Sequence, residues 1–370
     1  MKRSGSASLP LHGGRAPRWL FEKMERLAKA ISEVIIDEYS QEELLQRLSD
    51  PYWFQSFACV LGYDWHSSGT TTVTCGALKE ALSEKEHGIR VVGGKGKTSR
   101  KAPDEIMSSD IGSTRRLEEF VEASKISAQV DSNCLQDSYN LYHHSFIFDE
   151  KGNWITIQQG MNPEDNYARR YHWTSSDLSS FLNDPHRGIS TERKEEEVLN
   201  LASSLSKETR KVSLDLVKDN PAHLERYVKP KGQSSVFDFS AEKRPELKMP
   251  SPHQVSLSEV SKQTLNNLEK AYQKQPKDYK ELISTKGVGA KSLRALALIA
   301  ELVYGTENDW QDPAKYSYAH GGKDGYPRPV GEEEYENSIN VLKEALEKAD
   351  VKKKDKLKSL EKLKDLEKNV

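Results

Sequence analysis

Apolar residues return every three or four positions between residues 19 and 36 (Leu20, Met24, Leu27, Ala28, Ile31, Val34, Ile35), just behind Pro17. This pattern predicts an amphipathic helix as the first element. A second helix is predicted over 40–48, closed by Asp50-Pro51, and a third carries Trp53, Phe54, Phe57, Ala58 and Leu61 up to Gly62. The stretch 64–101 reads as Ser-, Thr- and Gly-rich connectors around a helix at 74–83 and a strand at 89–92. Alternation of Ile126, Ala128 and Val130 against Ser127 and Gln129 predicts a strand at 126–130. Segments 142–148 and 154–159 flank DEKGN as a β-hairpin, with Gly152 suited to a positive-φ turn position. Residues 192–228 read as a charged helix broken at Asn220-Pro221, and 229–252 have the Pro, Lys and Ser content of a linker. A helix follows at 256–275, opened by the capping pair Ser256 and Glu259, then helix, tight turn and helix over 279–304. In the tail, Leu357, Leu360, Leu363 and Leu366 stand three apart, a spacing that drifts round a helix and predicts a solvated or partner-dependent one.

Composition narrows the class. With 35% apolar and 30% charged residues the chain is neither membrane-embedded nor wholly disordered. No run approaches the roughly 18 apolar residues of a membrane span, and the N-terminus lacks the apolar core of a secretory signal. A cytoplasmic protein without a membrane partner is expected. Cys59, Cys75 and Cys134 lie too far apart for a zinc finger and are odd in number, so no disulfide framework is indicated. The net charge of −2 requires any nucleic-acid contact to be local.

The sharpest local pattern is Lys286-Gly287-Val288-Gly289 followed by Lys291 and Arg294. Two glycines around one apolar residue permit a tight turn and leave backbone N–H groups free at the start of the next helix, where a phosphate oxygen is favoured. This segment resembles the helix-hairpin-helix motif of DNA-repair and nuclease proteins, which implies sequence-independent contact with a DNA backbone through Gly287, Gly289 and Lys291. Lyase members of that group carry a nucleophilic lysine where Lys291 stands, with an aspartate downstream, for which Asp309 is a candidate by distance, although the long second helix need not return it to Lys291.

The run Val91-Val92-Gly93-Gly94-Lys95-Gly96-Lys97-Thr98 lacks the first glycine of a nucleotide-binding loop, and Pro103 opposes a long helix after it. Lys95, Lys97, Arg100 and Lys101 read instead as an anion or nucleic-acid clamp or a solvated loop. The middle of the chain gathers Asp131 at a strand end, Gln136 and Asp137 in a short helical stretch, His143 and His144, Gln158 and Gln159, then Arg169, Arg170 and His172. Carboxylate, Gln and His side chains at strand ends are what metal-dependent nucleases use to hold a divalent ion. Strand alternation allows only one of the two histidines into such a site, and His144 is favoured. Asp64 and His66 form a second polar cluster.

Taken together, residues 5–17, 64–71 and 91–98, Leu135-Gln136-Asp137, Tyr142-His143-His144, 168–173 and 312–317 are similar to the prokaryotic family known as domain of unknown function 763. The resemblance implies an archaeal or bacterial, often thermophilic, cytosolic protein with a C-terminal DNA-binding hairpin. The expected fold is α+β: an N-terminal helical and α+β portion followed by an all-α helix-hairpin-helix domain. Its expected divisions are 1–190, catalytic; 191–250, charged helix and linker; 251–330, DNA-binding; and 331–370, a charged tail that recruits a repair or replication partner.

The expected function is a Mg²⁺- or Mn²⁺-dependent DNA nuclease acting in DNA repair or replication. Asp131 and His144 would hold metal, with Gln136, Asp137 and Gln159 placing water, and Asp64 and His66 in reserve as acid, base or ligand. Lys97 and Arg169 would hold the scissile phosphate, with Lys95, Arg100, Arg170, Gly287, Gly289, Lys291 and Arg294 on flanking phosphates. A non-enzymatic DNA-binding scaffold and a glycosylase/lyase acting through Lys291 are the alternatives.

Overall fold

The computed structural model describes residues 18–62, 69–164, 167–191, 193–220, 224, 262–314, 316–317, 332–349, 351, 356–357 and 359–360. Asp64, His66, the Ser256 cap and the linker 229–252 lie outside them. The fold is α+β. It opens with α1 (Arg18–Glu38), α2 (Gln41–Ser49), α3 (Pro51–Leu61), α4 (Thr70–Ala81) and α5 (Glu84–His87). Met24, Ala28, Ile31 and Ile35 line the buried stripe of α1 that their spacing predicts. Asp50 serves two helices at once: its backbone closes α2, and its carboxylate accepts the Trp53 N–H at 2.7 Å to cap α3, with Pro51 at the first helical position. Every residue of α3 is buried, which makes it the central helix of this layer.

The sheet follows as β1 (Ile89–Lys95), β3 (Asn140–Asp149), β4 (Trp154–Met161), β5 (Ala168–Thr174), β6 (Gly188–Thr191) and β8 (Tyr316–Ser317), neighbouring in that order. All pairs are antiparallel except β6 with β8. A separate two-stranded ribbon joins β2 (Leu135–Gln136) to β7 (Leu199–Asn200). The β3–β4 turn is built by Asp149, whose Oδ1 accepts the N–H groups of Lys151, Gly152 and Asn153 at 2.9 Å each. Gly152 sits at φ 102°, as expected for that turn.

Side chains alternate between two cores. Val91, Ile147, Ile155 and Ile157 face α1–α4, together with Leu342 and Leu346 of α12 (Glu332–Lys348). Val92, Phe146, Phe148, Trp154 and Trp173 face α6 (Ala102–Met107), α7 (Thr114–Gln129) and α8 (Lys207–Lys218). The second core also takes α9 (Lys262–Lys274), α10 (Tyr279–Ile283) and α11 (Ala290–Tyr304) through Leu268, Leu282, Leu293 and Leu296. The segment expected as a separate hairpin domain therefore shares one apolar core with the sheet.

Three local expectations change. Residues 126–130 are not a strand but the end of α7 and the start of the π turn Val130–Cys134 that follows. Over a longer window Leu117, Phe120, Ala123, Ile126 and Val130 are buried at helical spacing, and the short alternation is a fragment of that series. Gln136 and Asp137 lie not in a helical stretch but in and just after β2. Between 192 and 228 the described helix is confined to α8, because 199–200 is drawn into the ribbon with β2. The expected solvated tail is partly docked as well: Lys348 pairs with Glu38 at 3.0 Å, and Ser359 donates to the Val60 carbonyl at 3.1 Å.

Candidate functional site

The α10–α11 hairpin starts with Asp278, whose carboxylate caps α10 by accepting the Glu281 N–H at 2.8 Å. The turn depends on Gly287 at φ 97°, where a Cβ would also stand 2.7 Å from Asn267 Oδ1. Val288 plugs the hairpin into the second core while Lys286, Gly287 and Lys291 stay exposed. Gly289 begins α11 with no capping side chain, and no acidic residue occupies the first turn. The N–H groups at the positive end of a 15-residue helix are thus presented beside two lysines. Gln136 braces this end by donating to the Ala290 carbonyl at 2.9 Å, so it supports the hairpin instead of placing catalytic water.

Arg294, expected on phosphate, is 1% exposed, and burial lowers its pKa to about 10. The helical period turns it inward, three residues after Lys291. Asp309 does not join Lys291. The return loop reaches back to the Ala297 carbonyl through Asn308, six residues or about 9 Å of helical rise beyond Lys291. There Asp309 accepts the Gln311 N–H at 3.0 Å, and its carbonyl accepts from Asn200.

Asp131, fully buried in the π turn, accepts from three donors: Gln158 Nε2 at 2.5 Å, Trp173 Nε1 at 3.0 Å and His186 Nε2 at 2.6 Å. Because the Gln158 amide nitrogen donates there, its oxygen accepts from His144 Nδ1 at 2.9 Å. His144 Nε2 then accepts the Ser124 hydroxyl at 2.8 Å. Burial lowers the His144 pKa and favours this neutral ring, while Gln158 and Asp131 act in the opposite direction.

This arrangement does not fit the expected Mg²⁺ or Mn²⁺ site. Both Asp131 oxygens are already engaged, and His144 reaches Asp131 only through Gln158. Among the described residues the one His-carboxylate cluster with ligand spacing is Glu33, Glu86 and His87, away from these residues on α1 and α5. Lys29 lies between its carboxylates, 2.5 Å from Glu86 and 3.8 Å from Glu33. The sequence does not announce Trp173 or His186 as partners of Asp131; His186 follows β5 in an irregular loop, and no periodicity marks it.

Arg169 is likewise not available to a phosphate. It is fully buried and forked between Asp312, at 3.0 and 2.6 Å, and Asp137 at 3.0 Å, with its guanidinium over the Tyr139 ring. Asp137 also accepts from Tyr171 Oη at 2.7 Å and from the Tyr139 N–H at 3.1 Å. Burial raises the Asp137 pKa to about 6, against the opposing pull of Arg169 and these donors. Asp137 and Arg169 therefore form a structural clasp instead of placing water and phosphate.

On the opposite face of the sheet, Lys95, His143, Gln159 and Arg170 stand directly across from one another on β1, β3, β4 and β5. Arg170 donates to Gln55 Oε1 at 2.9 Å, to the Pro51 carbonyl at 3.1 Å and to His172 Nε2 at 2.8 Å, with Phe54 beneath it. Gln159 donates to Tyr142 Oη. Lys95, Lys97, Arg100 and Lys101 are all exposed. The run after β1 winds into the 3₁₀ turn Gly96–Lys101 and the six-residue α6, unlike the long helix that follows a nucleotide-binding loop.

No helix among the described residues is long and apolar enough to cross a membrane. No curated protein matches the sequence, and no solved structure matches the fold. A family model described as "protein of unknown function (DUF763)" matches residues 5–330, and the chain belongs to that family.

Proposed function

We propose that this protein binds DNA by its phosphate backbone through the α10–α11 hairpin, used as a helix-hairpin-helix element. The observation that carries the reading is the uncapped start of α11 at Gly289, flanked by exposed Lys286 and Lys291 and opened by the positive-φ Gly287. The Gly96–Lys101 loop supplies a second contact. Gln136 touches the hairpin, and the chain from Gln136 to Tyr142 spans at most about 21 Å. Lys95 Nζ lies 5.8 Å from the Tyr142 ring. The two basic sites are thus close enough for a single duplex backbone to bridge them, over fewer than about ten steps of 3.4 Å. Metal-assisted cleavage at Asp131 is opposed by the donors that already occupy both of its oxygens, and lyase chemistry at Lys291 is opposed by the position of Asp309, held in the return loop away from it.

The test is fluorescence anisotropy of labelled single-stranded, duplex and forked DNA over a salt series, with Mg²⁺, Mn²⁺ or EDTA. Wild-type protein should bind in EDTA without forming product. Lys291→Glu should weaken binding at least tenfold at low salt and reduce the salt dependence by about one phosphate contact. Unchanged affinity in Lys291→Glu and in Gly287→Val would refute the reading. Metal-dependent product lost in Asp131→Asn would restore the nuclease.

A further inference from the structure

We propose that the Gly96–Lys101 loop and the Tyr142 ring hold an unpaired DNA strand through its bases, so that the protein recognises the junction between duplex and single strand. This inference rests on the hairpin reading and deepens it, because the hairpin holds the duplex from which that strand leaves. The first observation is a charge imbalance. Lys95, Lys97, Arg100 and Lys101 are exposed, and no acidic residue stands between Ile89 and Pro103. Among the described residues none of the four has a carboxylate partner, whereas Lys29, Arg116, Arg187 and Lys348 on other surfaces each have one. Cations that no carboxylate neutralises attract a phosphate backbone. The space beside the loop is open, since a Cβ on Gly96, at φ 61°, would meet no atom within 4 Å.

The second observation is Tyr142. Pairing of β3 with β4 skips it, passing from Leu141 opposite Gly160 to His143 opposite Gln159, so Tyr142 is the extra residue of a β-bulge. A bulge bends its strand and re-aims the side chain it carries. β1 ends at Lys95, opposite His143, which places Tyr142 just past that end, where β3 packs against the Gly96–Lys101 turn. Tyr142 is only partly buried, its hydroxyl is held by the Gln159 amide, and Lys95 Nζ lies 5.8 Å from its ring centroid. An oriented aromatic ring edged by unpaired cations is a combination that holds single strands without reading sequence. One base stacks on the ring while the ammonium and guanidinium groups take the phosphates on either side. Stacking uses the face of the ring, so the engaged hydroxyl fixes the platform without occupying it. A duplex offers no such base, because its bases are already stacked on one another. The short chain between Gln136 at the hairpin and Tyr142 lets one strand reach both contacts.

The test is fluorescence anisotropy on the full chain with labelled probes: a blunt duplex, the same duplex with a short 5′ or 3′ overhang, and those overhangs built of abasic sugars, which keep the phosphates and lack the bases. Wild type should bind an overhang probe at least about fivefold more tightly than the blunt duplex, the lower end of what one base–aromatic stack contributes. The abasic form should lose that gain. Tyr142→Leu should lose the gain and keep its affinity for the blunt duplex. Tyr142→Phe, which keeps the ring and drops the hydroxyl, should retain it; circular dichroism verifies that both variants fold. Equal affinity of wild type for overhang and blunt probes, or an abasic overhang bound as tightly as the natural one, overturns the proposal without recourse to a variant. A gain lost in Tyr142→Phe as well as in Tyr142→Leu also overturns it, because the bond to Gln159 and not the ring would then be what matters. In each of these cases duplex binding weakened by Lys291→Glu leaves the hairpin reading standing. Conversely, a base-dependent gain with duplex binding untouched by Lys291→Glu supports the strand site and removes the hairpin.

Discussion

Acidification should destabilise this fold in part through His143, and His143→Gln should isolate that contribution. Burial first, then the neighbouring His144 and Lys95, lower the His143 pKa from 6.5 to about 3. Between those values the unfolded chain holds a proton that the folded chain refuses. The stabilisation is complete above pH 6.5 and is lost progressively as pH falls toward about 3. At 1.36 kcal/mol per pH unit this reaches roughly 5 kcal/mol, comparable with the whole stability of many domains. His144 and His172 are lowered by burial too and act with the same sign. Asp137 acts oppositely: its pKa is raised from 3.8 to about 6, so it favours the folded state as pH drops through that window. Replacing His143 with Gln removes one titration and leaves the others. The stability advantage of wild type over the variant, measured by urea unfolding, should shrink by about 2 kcal/mol between about pH 7 and pH 5. A difference that stays constant over that range would refute the account, because His143 would then ionise as freely folded as unfolded.

Asp312→Asn should destabilise the fold by about 3 kcal/mol or more in thermal or urea unfolding, since buried Arg169 keeps only Asp137 as a charged partner. Asp131→Ala should cost about 3 kcal/mol by stranding the donors of Gln158, Trp173 and His186; a near-neutral Tm would contradict the network. Millimolar Mg²⁺ or Mn²⁺ should leave the wild-type Tm unchanged, and a rise abolished by Asp131→Ala would show a metal there after all. Gly152→Ala should lower stability by about 1 kcal/mol, through its φ of 102° and the crowding of Arg116 Nη1.

Long periodic segments are the most legible part of the chain. The stripe of α1, the β3–β4 hairpin and the α10–α11 turn each follow from apolar spacing plus one Gly or Pro. Residues 126–130 mislead because five positions cannot distinguish a strand from one flank of a helix. At the candidate site, the polar residue types are legible but their partners are not. Arg169 reads from sequence as a phosphate ligand, yet it is neutralised by Asp312, which lies 143 residues away. Gln136 reads as a catalytic amide, yet its partner Ala290 lies 154 residues away. Hydrogen bonds of that range leave no local signal, and the same kind of separation hides His186 beside Asp131.

The clasp between Arg169 and Asp312 also has a consequence for synthesis. The chain emerges from the ribosome at about 5–20 residues per second, so the 143 residues between the two partners take roughly 7–30 s to appear. Throughout that interval the sheet strands exist without the second carboxylate that Arg169 requires for burial. Only Asp137 is at hand for Arg169 during that time, and the complete clasp that buries the guanidinium can form only after the segment around residue 312 has been made.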